Sequence, residues 1–486
     1  MTSQTLLARA RLGLICVSVA ANAICAGGIY CFPLISPALS LHMKLDQLQL
    51  TTIALAGMIG QYPVAAFVGK VIDHYGPWLC SLVASVLFSA GFGLFSWETS
   101  DAPSGVAEPS LASFRRLVLF FGMAGLGTVF SYFSLVFAAT KTFPEYIGIA
   151  SGTSMALFGL SPLFLSAIAS GLFTDADGVL YMTRFFAFMA VLTGVVHLFG
   201  ALTLPGPTPN SKTAPATSNP QELLDEDAED SDEVDPLLPP TNKPQTAVNV
   251  VSVQEPQHGT TADLLKDAHF WLLAVIVALI VGAAEMVISN MGSIVSSISP
   301  PSSASRHIST QVQLLSISNT ASRLFMGPLA DFVSPVASYL PNGVWSFPRR
   351  HHVSRVVFFI IASIVLAATF TWLIVGIRSP ASMWTLSIGT GSVYGTIFTL
   401  LPSIMASIWG LPNLGRNFGI ISYAAFIGTP IFSYLYAFVV ARHTTPGGRA
   451  CEGVQCWKLT FGLSVGTTLI ATCLTILLWR RWRSRV

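Results

Sequence analysis

Long apolar runs alternate with short polar segments along almost the whole chain. A helix needs about 20 residues to cross the hydrocarbon core of a bilayer, and twelve runs are close to that length. Their predicted limits are 12–37, 50–69, 78–96, 117–139, 147–173, 185–204, 270–291, 311–330, 356–376, 382–408, 418–440 and 459–479. The pattern therefore predicts an all-α membrane protein with twelve transmembrane helices.

The segment 205–268 interrupts this pattern. It is rich in Pro, Thr, Ser and Asn and holds 12 of the 23 acidic residues, including the run DEDAEDSDEVD at 225–235. Its apolar surface is too small to offset the entropy lost on ordering, so we expect it to be disordered. It divides the chain into two predicted six-helix bundles, 1–204 and 269–486, the second with a short basic tail.

Composition agrees with a membrane location and excludes several functions. Of the 486 residues, 52% are hydrophobic and 10% are charged, whereas a soluble globular chain carries about 25% charged residues. No pattern indicates nucleic-acid binding, and no P-loop, HExxH or GxSxG motif is present in a suitable setting. We therefore expect no enzyme activity, no cofactor and no metal site.

Basic residues indicate the orientation. Short segments on the side of the two termini hold 12 Lys and Arg residues, and those on the opposite side hold nine. The tail RRWRSR (480–485) and the cluster RRHHVSR (349–355) account for the excess. Since basic residues favour the cytosolic side, both termini and the acidic loop are predicted to face the cytosol.

The two halves share a short motif. GKVIDHYG (69–76) follows the second predicted helix, and GPLADFVS (327–334) follows the eighth, 258 residues later. Both contain G-x-x-x-D at a helix end. A weaker match relates EYIGIAS (145–151) to RNFGIIS (416–422). Two corresponding six-helix halves are typical of secondary transporters, whose solute site lies between the halves near the membrane midplane.

GKVIDHYG resembles the signature between helices two and three of the major facilitator superfamily. In that family, the Gly permits close helix approach and the Asp, at a neighbouring helix terminus, stabilises one gating state. The resemblance implies gating roles for Gly69, Asp73, Gly327 and Asp331. His74 stands where the family more often has Arg.

Further matches narrow the resemblance to the nodulin-like and monocarboxylate-transporter-related branch, closest to fungal monocarboxylate-transporter-homologue proteins of the vacuolar membrane. It covers the whole chain except the 205–268 loop. The matching segments are GGIYCFPLISPAL (27–39), FPEYIGIASG (143–152), FWLLAVIVALIVGAAEMVISNMGSIV (270–295), SISNTASRLFMGPLAD (316–331) and TGSVYGTIFTLLPSIMASIWG (390–410).

At two positions the sequence differs from the pattern of this branch, so the resemblance does not identify the solute. Proton-coupled monocarboxylate transporters carry a Lys after a Phe-Pro pair in the first helix, where this chain has Leu34. Their eighth helix carries Asp-x-x-x-Arg, where this chain has Asn319 and Arg323. Because only the Arg is present, the resemblance implies neither monocarboxylate recognition nor that proton-coupling device.

Two ionisable residues within the apolar runs are candidates for function, because such groups usually face a polar interior. Glu285 is predicted in the outer half of helix seven, as a packed carboxyl, a proton-binding group or a solute contact. Arg323 lies two turns before Asp331, so it forms either a structural or gating ion pair or a site for an anionic solute. Asn319, one turn earlier on the same face, could share either role.

Five polar residues occupy helices that line the cavity in this superfamily: Tyr30, Asn22, Asn290, Tyr394 and Thr399. The resemblance implies solute contact for them. The alternative for each is a hydrogen bond between helices.

Two short features lie outside the predicted helices. EVDPLL (233–238) fits the acidic dileucine sorting pattern, with Glu233 as the acid and Leu237 and Leu238 as the apolar pair; the alternative is an ordinary solvated charge run. Cys451 and Cys456 fall in a predicted luminal loop, where a small disulfide can persist.

These observations predict a secondary transporter that moves a small organic solute across the vacuolar membrane by alternating access. The alternative location is the plasma membrane. The alternative function is a solute sensor that signals through its cytosolic loop. We expect a monomer whose partners are the solute, membrane lipid and a sorting adaptor bound to the 205–268 loop, without nucleic acid.

Overall fold

The computed structural model describes most of the chain outside the acidic loop. The described residues are 3–100, 110–143, 147–175, 179–206, 260–300, 303–334, 338–339, 345–346, 353–377, 379–410, 414–444 and 451–482. The sorting residues Glu233, Leu237 and Leu238 lie outside them.

Sixteen α-helices and one two-residue β-ribbon make up the described structure. The helices are α1 Ser3–Cys25, α2 Phe32–Met43, α3 Gln47–Gly60, α4 Ala65–Tyr75, α5 Pro77–Ser100, α6 Leu111–Thr142, α7 Ile147–Leu172, α8 Met182–Thr203, α9 Thr261–Lys266, α10 Ala268–Ser296, α11 Ala304–Val333, α12 Val356–Gly376, α13 Trp384–Trp409, α14 Leu414–Ile421, α15 Tyr423–His443 and α16 Gln455–Trp482. Strands β1 (Ser338–Tyr339) and β2 (Trp345–Ser346) pair antiparallel.

These helices form twelve spans. Three spans are broken in two: α1 with α2 is span 1, α3 with α4 is span 2, and α14 with α15 is span 11. Each other helix except the short α9 is one span. We call the side that carries both termini the cytosolic side, following the charge bias, and the other side the luminal side.

Span 8 differs in composition from the rest. Within the described residues, eleven helices are long and apolar enough to cross a membrane, and α11 (Ala304–Val333) is not among them. It has 30 residues, ample for a crossing. Its buried face carries Ser, Gln, Asn and Arg side chains. Because those groups face other helices rather than lipid, a polar helix is tolerated there.

The spans pack as two bundles that meet along a shared face. In the first half, α5 packs against α6 and α8; in the second, α11 packs against α13 and α12 against α16. Across the halves, α7 contacts α11, α2 contacts α10 and α3 contacts α15. A small cavity lies at this face.

The ordered structure of the second half begins earlier than predicted. The segment expected to be disordered up to residue 268 contains α9, whose first turn is closed by a capping box between Thr260 and Asp263. The hydrogen bonds from Thr260 hold the pKa of the Asp263 carboxyl below its usual range. Leu264 is buried. Local capping and one apolar anchor therefore order residues 260–266 despite their polar composition.

Cys451 and Cys456 form a disulfide on the luminal side. The loop between them contacts the end of span 7, because Gly453 N donates to Ser297 O over 2.7 Å. Trp457 Nε1 donates to Ser297 Oγ over 3.2 Å. The bridged loop therefore ties the start of span 12 to span 7.

Spans 7 and 11 approach each other through glycine. A Cβ at Gly282 would lie 2.6 Å from the carbonyl carbon of Gly428, whereas a Cβ at Gly466 in span 12 would meet nothing within 4 Å. We predict that Gly282→Leu destabilises the protein by about 1–3 kcal/mol or more through overpacking. Thermal unfolding of purified protein in detergent measures the effect, with Gly466→Leu as the control. Equal melting temperatures for the two variants would contradict this packing.

Candidate solute-binding site

A small cavity lies between the two halves. It is lined by residues of spans 1 and 5 from the first half and of spans 7, 8 and 10 from the second. They are Tyr30, Phe158, Gly159, Pro162, Ile288, Met291, Val312, Leu315, Ser316, Asn319, Arg323 and Tyr394. Its volume of about 30 Å³ holds only about two water molecules. A solute larger than that can enter only if the halves move apart.

Arg323 provides the charge in this cavity. Its side chain is buried, and Nε donates to Asn319 Oδ1 over 3.0 Å. The guanidinium carbon lies 5.9 Å from the centre of the Phe398 ring. Nη1 is buried and has no hydrogen-bond partner among the described residues. Because a guanidinium stays charged, Arg323 brings a positive charge with one unsatisfied donor to the wall of the cavity.

A proline in span 5 shapes the wall opposite Arg323. Pro162 lies inside α7 and disturbs the backbone hydrogen bonds of the surrounding turn. Ser316 of span 8 bonds there: its Oγ donates to Gly159 O over 2.7 Å and accepts from Leu163 N over 3.1 Å. A Cβ at Gly159 would lie 3.4 Å from Asn319 Nδ2. The two halves therefore meet closely at the edge of the cavity.

Glu285 is fully buried in span 7 and accepts hydrogen bonds from three hydroxyl groups. Tyr62 and Tyr394 donate to Oε1, the latter over 3.0 Å, and Thr429 donates to Oε2 over 2.5 Å. Tyr62 belongs to span 2, so this bond joins the halves. These partners offset the loss of hydration that a buried carboxyl suffers.

Hydrogen bonds between the halves close the luminal side. Asn290 Oδ1 accepts from Gln47 Nε2 and from Thr51 Oγ1, each over 3.1 Å. The hydroxyls of Ser170 and Ser309 lie 2.6 Å apart and join spans 5 and 8. These contacts must break before the cavity can open to the lumen.

The structure brings together four of the predicted solute contacts: Tyr30, Asn319, Arg323 and Tyr394 line the cavity. Glu285 adjoins it through Tyr394. Sequence reasoning missed Tyr62 and Thr429. Each precedes a proline in the sequence, which was the one local signal near it. Neither is a charged residue that stands out in an apolar run, and no local pattern relates them to Glu285.

Three predicted contacts lie outside the cavity lining. Asn22 is inside the first half, where its Nδ2 donates to Ser81 Oγ of span 3 over 3.1 Å. Its part of span 1 precedes the break and packs mainly against spans 5 and 6. Asn290 bonds across the halves on the luminal side. Thr399 donates to Gly395 O of its own helix over 2.7 Å. For Asn22 and Asn290, the contacts correspond to the alternative of a hydrogen bond between helices, whereas Thr399 bonds within its own helix.

The gating candidates lie at the cytosolic ends of spans 2 and 8. Asp331 Oδ1 accepts from Arg355 Nη2 over 2.8 Å, and Arg355 is the N-cap residue of span 9. A Cβ at Gly327 would lie 3.6 Å from Thr399, and one at Gly69 would lie 3.7 Å from Phe133. The side chain of Asp73 lies outside the described part of the structure.

Comparison with known proteins identifies the family. The model of the Major Facilitator Superfamily matches residues 18–344. The chain belongs to this superfamily. It is a multi-pass membrane transporter of that kind and not an enzyme. The twelve-span fold and the family inferred from sequence motifs are thereby confirmed.

Several relatives in this superfamily are fungal. The probable transporter MCH1 of Gibberella zeae is 27% identical over 513 residues, covering 94% of this chain and 88% of its own. The probable transporter MCH1 of Debaryomyces hansenii is also 27% identical, covering 96% of this chain and 91% of its own. The inward open xylose transporter XylE from E. coli has a TM-score of 0.62 at 12% identity, covering 96% of each chain. This last likeness concerns the fold alone.

The luminal contacts of Asn290 generate a prediction about access to the cavity. Asn290→Ala removes two hydrogen bonds between the halves, each worth about 1 kcal/mol. It should therefore raise the luminally open population by about fivefold or more. The measurement is labelling of Ile288→Cys in the cavity wall by a membrane-impermeant thiol reagent applied from the lumen. Thr310→Ala, which removes a hydroxyl bonded within its own helix, is the control. Unchanged labelling in the Asn290 variant would exclude this closing role.

Proposed function

We propose that this transporter moves a small organic anion across the vacuolar membrane by alternating access. The observation that carries the proposal is the buried Arg323, which lines the cavity and whose Nη1 has no acceptor among the described residues. A buried donor without an acceptor is costly in free energy, and an anionic ligand that reached it would remove that cost. Hydrogen bonds to charged groups contribute about 1.5–3 kcal/mol each.

The remaining lining favours an organic solute. Ile288, Met291, Val312 and Leu315 are apolar, and Phe158 adds an aromatic ring. Tyr30 and Asn319 offer hydrogen-bonding groups. A carboxylate or similar group bound to Arg323 would thus place its carbon skeleton against apolar side chains. Inorganic anions would leave those contacts unused.

Alternating access is supported by how the cavity is built. Both halves contribute lining residues, so movement of one half against the other would expose the cavity to one side at a time. Gln47, Thr51 and Asn290 close the luminal side in the present conformation. We assign Asp331 and Asp73 to gating at the cytosolic side. The Asp331–Arg355 pair, at the start of span 9, supports that role for Asp331.

Glu285 is the proposed proton carrier. Of the described carboxyl side chains, it is the one that is fully buried in the middle part of a span. It also joins the halves through Tyr62. A change in its protonation would therefore alter a bond that must break when the halves separate.

The proposed function predicts a specific solute defect. Vacuoles isolated from cells that lack the gene should differ from wild type in their content of at least one organic anion. Arg323→Gln should reproduce that difference, with accumulation lowered about tenfold or more because the anion loses a charged partner. Mass spectrometry of vacuolar contents measures this, with Arg184→Gln on the luminal side as the control. Wild-type accumulation in the Arg323 variant would refute the proposed anion site.

Vacuolar location is supported by the acidic dileucine pattern. Leu237→Ala with Leu238→Ala should move the protein to the cell surface, because an adaptor that reads the leucine pair would lose its apolar contacts. Fluorescence microscopy of the tagged full chain measures this. Leu223→Ala with Leu224→Ala changes another leucine pair of the loop and serves as the control. Vacuolar localisation of the first variant would show that EVDPLL is an ordinary polar segment.

A further inference from the structure

Tyr394 is hydrogen-bonded to Glu285 and lines the cavity together with Arg323. Its hydroxyl donates to Glu285 Oε1 over 3.0 Å. The other two donors to Glu285, Tyr62 and Thr429, are not part of the cavity lining. Among the described residues, Tyr394 is the one lining residue that is hydrogen-bonded to this carboxyl.

Neighbouring aromatic packing fixes this position. The Tyr394 ring lies 4.7 Å from that of Phe398, centre to centre, and Phe398 is one helical turn further along the same face. The Arg323 guanidinium lies over the Phe398 ring. The hydroxyl of Tyr394 and the cation are thus held on one wall of the cavity.

We propose that Tyr394 is a positioning residue that couples anion binding at Arg323 to protonation of Glu285. This inference rests on the proposed function, because it requires an anionic solute. Its basis is that the hydroxyl hydrogen of Tyr394 can be donated either to Glu285 or to an anion in the cavity. In the closed structure, that hydrogen is donated to Glu285.

An anion bound at Arg323 competes for the same hydrogen. If Tyr394 turns its hydroxyl toward the anion, the Glu285 carboxylate keeps only the bonds from Tyr62 and Thr429. The bound anion then places a second negative charge near the Glu285 carboxylate. A proton on Glu285 removes this repulsion, and the protonated carboxyl donates a hydrogen bond in place of the one it accepted. Anion and proton therefore favour each other's binding, and by thermodynamic reciprocity the coupling acts equally in both directions.

The groups around Glu285 allow this assignment. Tyr62 of span 2, Tyr394 of span 10 and Thr429 of span 11 contact it directly. Tyr30 of span 1 interacts with it electrostatically, as well as with Arg323 of span 8. No second carboxyl group is among these neighbours in the described structure. The proton taken up with the anion would thus be assigned to Glu285.

Three variants separate the roles of these residues. Tyr394→Phe removes the shared hydroxyl and keeps the ring. Thr429→Val removes a hydroxyl from the same carboxyl but not from the cavity, so it is the matched control. Glu285→Gln removes the ionisation. The probe is butyrate, a short organic anion, compared with butyramide, which has similar shape and no charge.

Binding to the purified full chain is measured by calorimetry between about pH 6 and about pH 8, where butyrate remains ionised. In the wild type, we expect butyrate affinity to fall as the pH rises, by up to about tenfold per pH unit, because one proton is taken up with each anion. Thr429→Val should keep a comparable pH dependence. Tyr394→Phe should still prefer butyrate to butyramide, because Arg323 is intact, but its affinity should fall clearly less per pH unit than that of the wild type, because only the repulsion between the two negative charges then favours the proton. Glu285→Gln should change in affinity less than about twofold over this range.

The outcomes distinguish this inference from the proposed function. A Tyr394→Phe protein with wild-type pH dependence would overturn the coupling role, and so would an equal loss of pH dependence in Thr429→Val. A wild-type protein that binds butyrate no better than butyramide would instead refute the anion site, and the coupling inference with it. A pH dependence that is weaker in Tyr394→Phe than in Thr429→Val, and absent in Glu285→Gln, would establish the coupling.

Discussion

Charges buried between apolar helices need partners, because the surrounding medium stabilises them far less than water does. Glu285 and Arg323 meet this constraint in different ways. The carboxyl group has three hydroxyl donors, drawn from spans of both halves. The guanidinium interacts with Asn319, the Tyr132 hydroxyl and an aromatic face, and one of its nitrogens has no hydrogen-bond partner in the described structure. Both oxygens of the carboxyl group are therefore hydrogen-bonded, whereas the guanidinium keeps one donor without an acceptor.

The same constraint explains the composition of span 8. A helix carrying Asn319 and Arg323 cannot face lipid along that side, so it must be enclosed by neighbouring spans. Span 5 encloses it from the other half, where Ser316 bonds to the backbone around Pro162. A polar side chain of span 8 thus bonds backbone groups of span 5 in the turn that Pro162 disturbs. Their contact also places Arg323 at the boundary between the halves, next to the cavity.

The proposed movement of the halves would break bonds of moderate strength. Neutral hydrogen bonds at Asn290 and between Ser170 and Ser309 close the luminal side, and each contributes only about 1 kcal/mol. Such bonds can form and break within a transport cycle. The bond from Tyr62 to Glu285 is different, because its strength depends on the charge of the carboxyl. It thus provides a direct connection between protonation and the contact of the halves.

Much of the fold follows from sequence patterns whose physical cause is local. Apolar length predicts the spans, because a helix in lipid must be both long and uncharged, and the repeated G-x-x-x-D motif relates Asp73 to Asp331. Arg323 and Glu285 are recognisable in sequence because an ionisable group in an apolar run is conspicuous. Helix α9 was not predicted, because one capping box and one buried leucine are weak signals within a polar segment.

The contacts of the site depend on tertiary structure. Tyr62, Tyr394 and Thr429 are far apart in sequence and meet Glu285 only because spans 2, 10 and 11 converge on span 7. Asn22 and Asn290 are of the same residue type, yet one packs inside the first half and the other bonds across the halves. The sequence by itself determined which residues enter the membrane and which of them carry charge, because hydrophobicity acts on each segment separately. Only the packing of the two bundles decided which polar groups share a hydrogen bond, because that depends on helix rotation and on breaks such as the one in span 1.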